Sequence, residues 1–316
     1  MPLNYKIGVI NPIQTDALRN SNVRKTKNDK IDTYLIAKSL LLGNYTLYQE
    51  KSINIKQLQT ICRFRFDLIE TQSKLKIQLV GCLDLIFPEL SKFFKGNLHL
   101  DVCYSLLEKY TSPEVISKVR IDTLTNFLIK NSKGRYAEDK ACDLKFIAHE
   151  SVGIKNSAID IQVKYIIEQL RMLRKQIKSI DEAIKNTMIK LNSPITTIPG
   201  IGYTLGAIII SEIGDISRFS NSSKLLAYAG LDPSVKQSGN FNATNTRISK
   251  RGSKYLRYAI HMAASISIWN NDELHKYYTS KRAAGKSYRN AIGHVSGKLA
   301  RIIYTKLRDN TPFKLS

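Results

Sequence analysis

The sequence predicts a mainly α-helical protein with one short strand near its start. Two apolar seams carry that prediction, each alternating steps of three and four over many turns, as helices packed in coiled-coil fashion require. The only strand-like run is "YKIGVI", residues 5–10, read as a buried strand stopped by Asn11-Pro12.

The polar stretch from Gln14 to Lys27 reads as a loop, and a helix follows from about Asp29 to Leu42. A long helix is expected over Ile53 to Phe87, with the seam Leu58, Ile61, Arg65, Leu68, Gln72, Leu75, Leu79 and Cys82; Pro88 ends it. Arg65 and Gln72 interrupt that seam, as register-setting polar positions do. Residues 95–150 read as short helices with loops at "TSPE" and "NSKGR". A cleaner seam then runs Ile159, Val163, Ile166, Leu170, Leu173, Ile177, Ile180, Ile184, Met188, Leu191. Periodicity leaves open whether the two long helices pair with each other or with a second copy. Ser193-Pro194 breaks the second helix, composition changes there, and a domain boundary is placed at that point. The remainder reads as helical, with a basic loop over residues 234–254.

Charge narrows the function. Among 316 residues, 49 Lys and Arg stand against 26 Asp and Glu, a net charge of +23, and the excess is spread along the chain. A polyanionic partner follows. The longest apolar stretches, Leu205 to Ile213 and Ala259 to Trp269, fall short of the roughly 20 residues a membrane span needs, and the start holds no signal-type apolar core. A cytoplasmic protein without a membrane role is expected. Cys62, Cys82, Cys103 and Cys142 form no CxxC pair and have no histidine at metal-ligand spacing, so reduced, mostly buried thiols are expected.

Four stretches could carry chemistry. Pro199-Gly200-Ile201-Gly202, opening a helix, has the form of a helix-hairpin-helix turn, in which Gly200 and Gly202 would let backbone N–H groups approach a phosphate. A tight turn between packed helices accounts for those glycines equally well, and the surrounding charge favours nucleic acid. In "KQSGNFNATNTRISKRGSKYLR", Arg247, Lys250, Arg251, Lys254 and Arg257 recur at steps of three or four, letting several cations face one phosphate backbone. Ser238-Gly239 lies beside them; alone it reads as a turn, but an activated serine hydroxyl forms covalent intermediates. Asp29 and Asp32 project from one face of a helix's first turn, close enough to share Mg²⁺, with Lys25 and Lys27 flanking them as phosphate-binding cations; helix capping is the alternative. Gly285-Lys286-Ser287 imitates the end of a P-loop, but Lys281 stands where the glycine is needed.

Taken in order, "KNDKID", "FPEL", "IPGIG", "GDISRF", "AYAGLDPSVKQSG" and "SKRG" resemble the IS110 group of bacterial insertion-sequence transposases over essentially the whole chain. The resemblance implies a RuvC-like metal-binding domain over residues 1–50, a helical coiled-coil region over 51–192 and a C-terminal transposase domain over 193–316. It implies Ser238 as nucleophile and Asp29 and Asp32 as the last two of four acidic ligands. It also implies a homo-oligomer, dimer or tetramer, acting on double-stranded DNA with a structured guide RNA from the same element. The group's first two acids lie upstream of the "NP" turn, whereas this chain has only ten residues before Asn11 and its first glutamate is Glu50. The expectation is therefore a truncated RuvC-like remnant whose single strand lacks neighbours, holding Mg²⁺ weakly or not at all and defective in catalysis. A non-catalytic nucleic-acid-binding derivative and a plain RuvC-like nuclease are the alternatives.

Overall fold

The computed structural model describes residues 7–20, 28–47, 52–233, 237–238, 241–242 and 248–314. Lys25, Lys27 and Arg247 lie outside them. The chain divides into two units, residues 1–53 and 54–316.

In the first unit, β1 (Gly8–Val9) pairs antiparallel with β2 (Thr46–Leu47), Gly8 opposite Leu47. Between them lie α1 (Pro12–Asn20) and α2 (Asp29–Leu41), packed on each other. Three expectations are corrected here. Of the expected strand over residues 5–10, Tyr5 and Lys6 lie outside the described residues; among the rest only Gly8 and Val9 are strand, and Ile7 and Val9 are exposed rather than buried. It has a neighbour, β2. And the first part of the expected loop is helix, because Pro12 at the opening position presets φ and costs no hydrogen bond there. Thr15 Oγ1 donating to the Pro12 carbonyl and the Arg19–Asp16 pair at i,i+3 support that polar helix, which an apolar-period search passes over. In α2, Leu35 and Ser39, one turn apart, are buried.

In the second unit, α3 (Ile53–Ile86) and α9 (Ser157–Leu191) match the two seams to within a few residues. They run antiparallel. Near one end Leu58 and Cys62 of α3 share a core with Ile184 and Met188 of α9, and near the other Leu79 and Leu83 share a core with Val163 and Ile167. The seams thus meet within one chain. Arg65, the polar interruption, makes a two-pronged contact with Asp181 of α9 (Nε–Oδ1 2.7 Å, Nη2–Oδ2 3.1 Å). Bidentate geometry of that kind fixes register.

Between them, α4 (Glu89–Phe93), α5 (Asp101–Lys109), α6 (Pro113–Lys118), α7 (Ile121–Ser132) and α8 (Glu138–His149) fill the second core with Phe87, Tyr104, Leu107, Leu124 and Leu144. The expected loops bound helices: Ser112 of "TSPE" caps the start of α6, and Lys133 of "NSKGR" turns left-handed after α7. Before α9 the chain passes so close to α3 that a Cβ on Gly153 would lie 2.0 Å from the Ile86 carbonyl oxygen, while Ile154 N–H donates to the Leu85 carbonyl at 2.9 Å. Gly153→Ala is expected to destabilise the protein by about 2 kcal/mol through this overlap, read as a fall in urea midpoint with unchanged slope.

After α9 the order is a 3₁₀ turn (Pro194–Thr197), α10 (Tyr203–Ile213), α11 (Ser222–Ala229), the hairpin β3 (Gln237–Ser238) and β4 (Phe241–Asn242), then α12 (Lys254–Ser267), α13 (Asp272–Ala283) and α14 (Tyr288–Arg308). The apolar faces of α10, α11, α12 and α14 close on the same core as Leu58 and Met188. That core therefore straddles residue 193, where the sequence suggests a boundary. Cys62, Cys82 and Cys103 are buried, Cys142 is exposed, and burial pushes the Cys62 thiol up to about 12. Among the described residues, no helix is long and apolar enough to cross a membrane.

Candidate functional site: an acidic pair and a braced basic hairpin

The acidic pair sits in the first turn of α2. The cap is Asn28, whose Oδ1 accepts from Ile31 N–H at 2.8 Å, so neither aspartate is consumed as the N-cap residue. Asp29 is exposed. Asp32 is held by Arg19 of α1 (Nη2–Oδ1 2.5 Å), whose other terminal nitrogen holds Asp16 at 2.5 Å. Two carboxylates one turn apart form a hard-oxygen donor set suited to a divalent cation that takes its remaining ligands from water and substrate phosphate. No group of three His, Cys, Asp or Glu positioned to hold a metal occurs among the described residues.

The basic hairpin grows from a stem in the second unit. Lys250 N–H donates to the Gly230 carbonyl (3.2 Å), Ser249 N–H to the Asp232 carbonyl (2.8 Å), and Pro233 bridges Ile248 in antiparallel fashion. Ser249 Oγ adds a bond to Asp232 Oδ1 at 2.5 Å. Two glycines allow this approach. Gly230 (φ 65°) would place a Cβ 2.1 Å from the Arg251 carbonyl oxygen, and Gly252 (φ 89°) would place one 2.1 Å from that of Tyr228. Beyond the stem, Ser238 pairs with Phe241 at the tip-side end of the hairpin. The sequence therefore presents Ser238 on a two-stranded ribbon.

The basic residues divide by role. Lys250 and Arg251 are exposed at the stem, and Lys254 opens α12 with its Nζ 5.3 Å from the Phe66 ring centre and 4.9 Å from that of Tyr255. Arg257 donates to the Ala229 carbonyl at 3.0 Å, tying α12 to the stem. The helical steps of three and four do not extend through all five positions, because Lys250 (φ 53°) and Gly252 break the backbone before α12.

One residue that motif reading missed organises this region. Glu212 of α10 is 1% exposed, yet its carboxylate meets Arg63 of α3 twice (2.7 and 3.1 Å), Gln59 Nε2 (3.0 Å) and Ser253 Oγ (2.8 Å). Burial alone would raise its pKa, but these donors outweigh it and hold the carboxyl below its ordinary value. Ser253 also caps α12, accepting from Leu256 N–H. A buried charge thus joins α3, α10 and the end of the basic loop. The signal was present as a lone acid inside the apolar run from Leu205 to Ile213.

In the Pro199–Gly202 turn, Gly200 (φ 91°) is required by packing, since a Cβ there would lie 2.4 Å from Ser267 Oγ, which donates to the Pro199 carbonyl at 2.7 Å. Gly202 is exposed at the start of α10 with open space where its Cβ would stand.

Comparison with known proteins joins these pieces. The model of the family described as "Transposase IS116/IS110/IS902 family" matches residues 192–279, and a DEDD transposase model of the IS110 type matches residues 2–88. The chain belongs to the IS110/IS116 transposase family. Among relatives of this family member, an uncharacterized 43.6 kDa protein of insertion element IS110 from Streptomyces coelicolor is 24% identical, covering 91% of this chain and 72% of that protein. A 44.8 kDa protein of IS116 from Streptomyces clavuligerus is also 24% identical, covering 82% of this chain and 65% of that protein. A pilin gene-inverting protein of Moraxella bovis is 33% identical over half of this chain and 52% of its own length.

For this IS110-family chain, the two matched segments contain the two chemical features separately: Asp29 and Asp32 in the first, Ser238 and the braced stem in the second. The DEDD match implies a divalent cation. It begins at residue 2 and gives the expected truncation no support.

Proposed function

We propose that this IS110-family protein is a transposase that cuts and rejoins DNA at the ends of its insertion sequence, with Ser238 as nucleophile and Asp29 and Asp32 holding Mg²⁺. The Ser238 hydroxyl gives up its proton to solvent as its oxygen attacks a phosphodiester phosphorus; the P–O bond to one strand breaks, and the released oxygen takes a proton. A hydroxyl of the incoming strand then attacks the phosphoserine, restoring the diester and freeing Ser238. Lys250, Arg251 and Lys254 would neutralise charge on the phosphate oxygens. Asp29 and Asp32 would hold a divalent cation, which when bound would supply Lewis-acid chemistry. The observation that carries this reading is the stem: a serine-bearing ribbon fixed at its base by interlocked glycines and a buried carboxylate, beside Lys250, Arg251 and Lys254, which form no salt bridge among the described residues.

The resemblance also supports action on double-stranded DNA with a structured RNA from the same element, and assembly as a dimer or tetramer. Ile161, Tyr165 and Met172, exposed along one stripe of α9, suit a contact between copies. The ion pair between Arg19 and Asp32 favours one other reading, a non-catalytic nucleic-acid-binding protein, because it occupies a carboxylate that a cation would need.

A duplex carrying the element's end, incubated with the protein and Mg²⁺ and then denatured, separates these readings. A covalent protein–DNA species is expected, and Asp32→Asn is expected to lower its rate about a hundredfold or more. Strand cleavage with no covalent species would point to a plain nuclease. Binding with neither would leave only the non-catalytic reading.

A further inference from the structure

The most one-sided stretch of charge in the protein lies outside every feature described above. Between Leu274 and Arg308 nine Lys and Arg occur and no Asp or Glu, so the acids of the two helices are confined to Asp272 and Glu273 in the first turn of α13. One face of α14 is spoken for: Ala291, Ile292, Val295, Leu299, Ala300 and Ile303 are buried in the core. On another, His294, Lys298, Arg301 and Arg308 follow at intervals of four, three and seven, forming one stripe about 21 Å long at 1.5 Å per residue.

The turn between α13 and α14 adds to that stripe. Lys281 and Lys298 both set their ammonium groups over the Tyr277 ring, at 5.1 and 5.3 Å from its centre, so two like charges share one aromatic ring. Burial and then the charges of Lys281 and Lys286 hold His294 below its ordinary pKa, which places both lysines beside the same stripe. Within the stretch, the salt bridges to carboxylates are Lys298 with Glu273, at 3.8 Å, and Arg308 with Asp309; Lys281, Lys286 and Arg301 form none among the described residues. Like charges held together and largely unmatched are costly unless an anion joins them.

We infer that the α13–α14 face is a second nucleic-acid contact, which grips the phosphate backbone of double-stranded DNA through Lys281, Lys286, Lys298 and Arg301. The stripe's length matches about six base pairs of backbone at 3.4 Å per strand residue. Its aromatic rings favour duplex over single strand. Tyr277 and Tyr278 pack against the core and do not stand free as platforms for unstacked bases, and the half-exposed Tyr288 ring is set edge-to-face with Tyr278 at 6.2 Å. This contact reads charge and not sequence, and would hold flanking DNA irrespective of its bases.

The test uses the full chain with Lys286→Gln and Arg301→Gln together, both exposed, and measures affinity for a non-specific duplex across salt concentrations. Each lost phosphate contact removes about 0.9 from the slope of log affinity against log salt, so the double variant is expected to be shallower by about 1.8 and at least about tenfold weaker at low salt. Lys286→Arg with Arg301→Lys is expected to restore both. An unchanged slope overturns the inference, and so does a loss confined to single-stranded or stem-loop RNA. Should the double variant melt early, Arg301→Gln alone decides the matter at about half the slope change. Because only binding is read, the result stands apart from whether Ser238 cleaves DNA.

Discussion

Replacing Ser238 with alanine is expected to abolish covalent attachment to DNA and to slow strand exchange by at least about a thousandfold, while leaving duplex affinity within about 0.5 kcal/mol of the parent. Among the described residues of the two strands, Ser238 alone carries a hydroxyl able to form and then release a phosphate ester, whereas binding is distributed over many cations. The backbone pairing of Ser238 with Phe241 and of Gln237 with Asn242 does not need the hydroxyl, so the ribbon survives the substitution. Denaturing electrophoresis measures the adduct and fluorescence anisotropy the affinity. Full cleavage by the alanine protein would remove Ser238 from the mechanism.

The second large effect is at Glu212. Glu212→Ala leaves Arg63, Gln59 and Ser253 without the acceptor they share, and the cost is expected to be about 3 kcal/mol, toward the lower end of the range for breaking a buried pair because Arg63 is 45% exposed and can recover some solvation. Glu212→Gln keeps the shape but not the charge and should lose less. The two variants separate in pH. The folded carboxyl is held below its ordinary value of 4.5, so its contribution is fully present above that value and is lost as pH falls through the lower folded pKa. Parent stability is expected to decline below about pH 4.5 more steeply than that of Glu212→Gln, measured by urea unfolding from pH 3 to 7. Parallel pH profiles would mean that the pair adds nothing net. Since Ser253 closes the basic loop, strand exchange by Glu212→Gln should fall more than its stability explains.

The helical architecture was legible because its cause is local. Ten positions from Ile159 to Leu191 recur at the period of one helix face, and α9 begins two residues before the first and ends on the last. Polar α1 was illegible for the same reason: its support is a proline, a hydroxyl and an ion pair, none of which has a period. The acidic pair and the serine were found through motif resemblance, since two aspartates at i,i+3 and a Ser-Gly dipeptide are individually ordinary. The spacing of Arg257 predicts a phosphate ligand, while its tie to the Ala229 carbonyl through Nη1 has no local signal.

By itself, then, the sequence determined where the long helices run, how positive the surface is, and which short motifs could bear chemistry. Tertiary structure alone decided that the two seams satisfy each other antiparallel within one chain, that Asn28 caps α2 while Arg19 takes Asp32, and that Glu212 braces the ribbon's base. The reason is range. Helical periodicity is set by neighbours three and four residues apart, whereas a buried carboxylate finds its partners 149 and 41 positions away, at distances in the chain that no local pattern encodes.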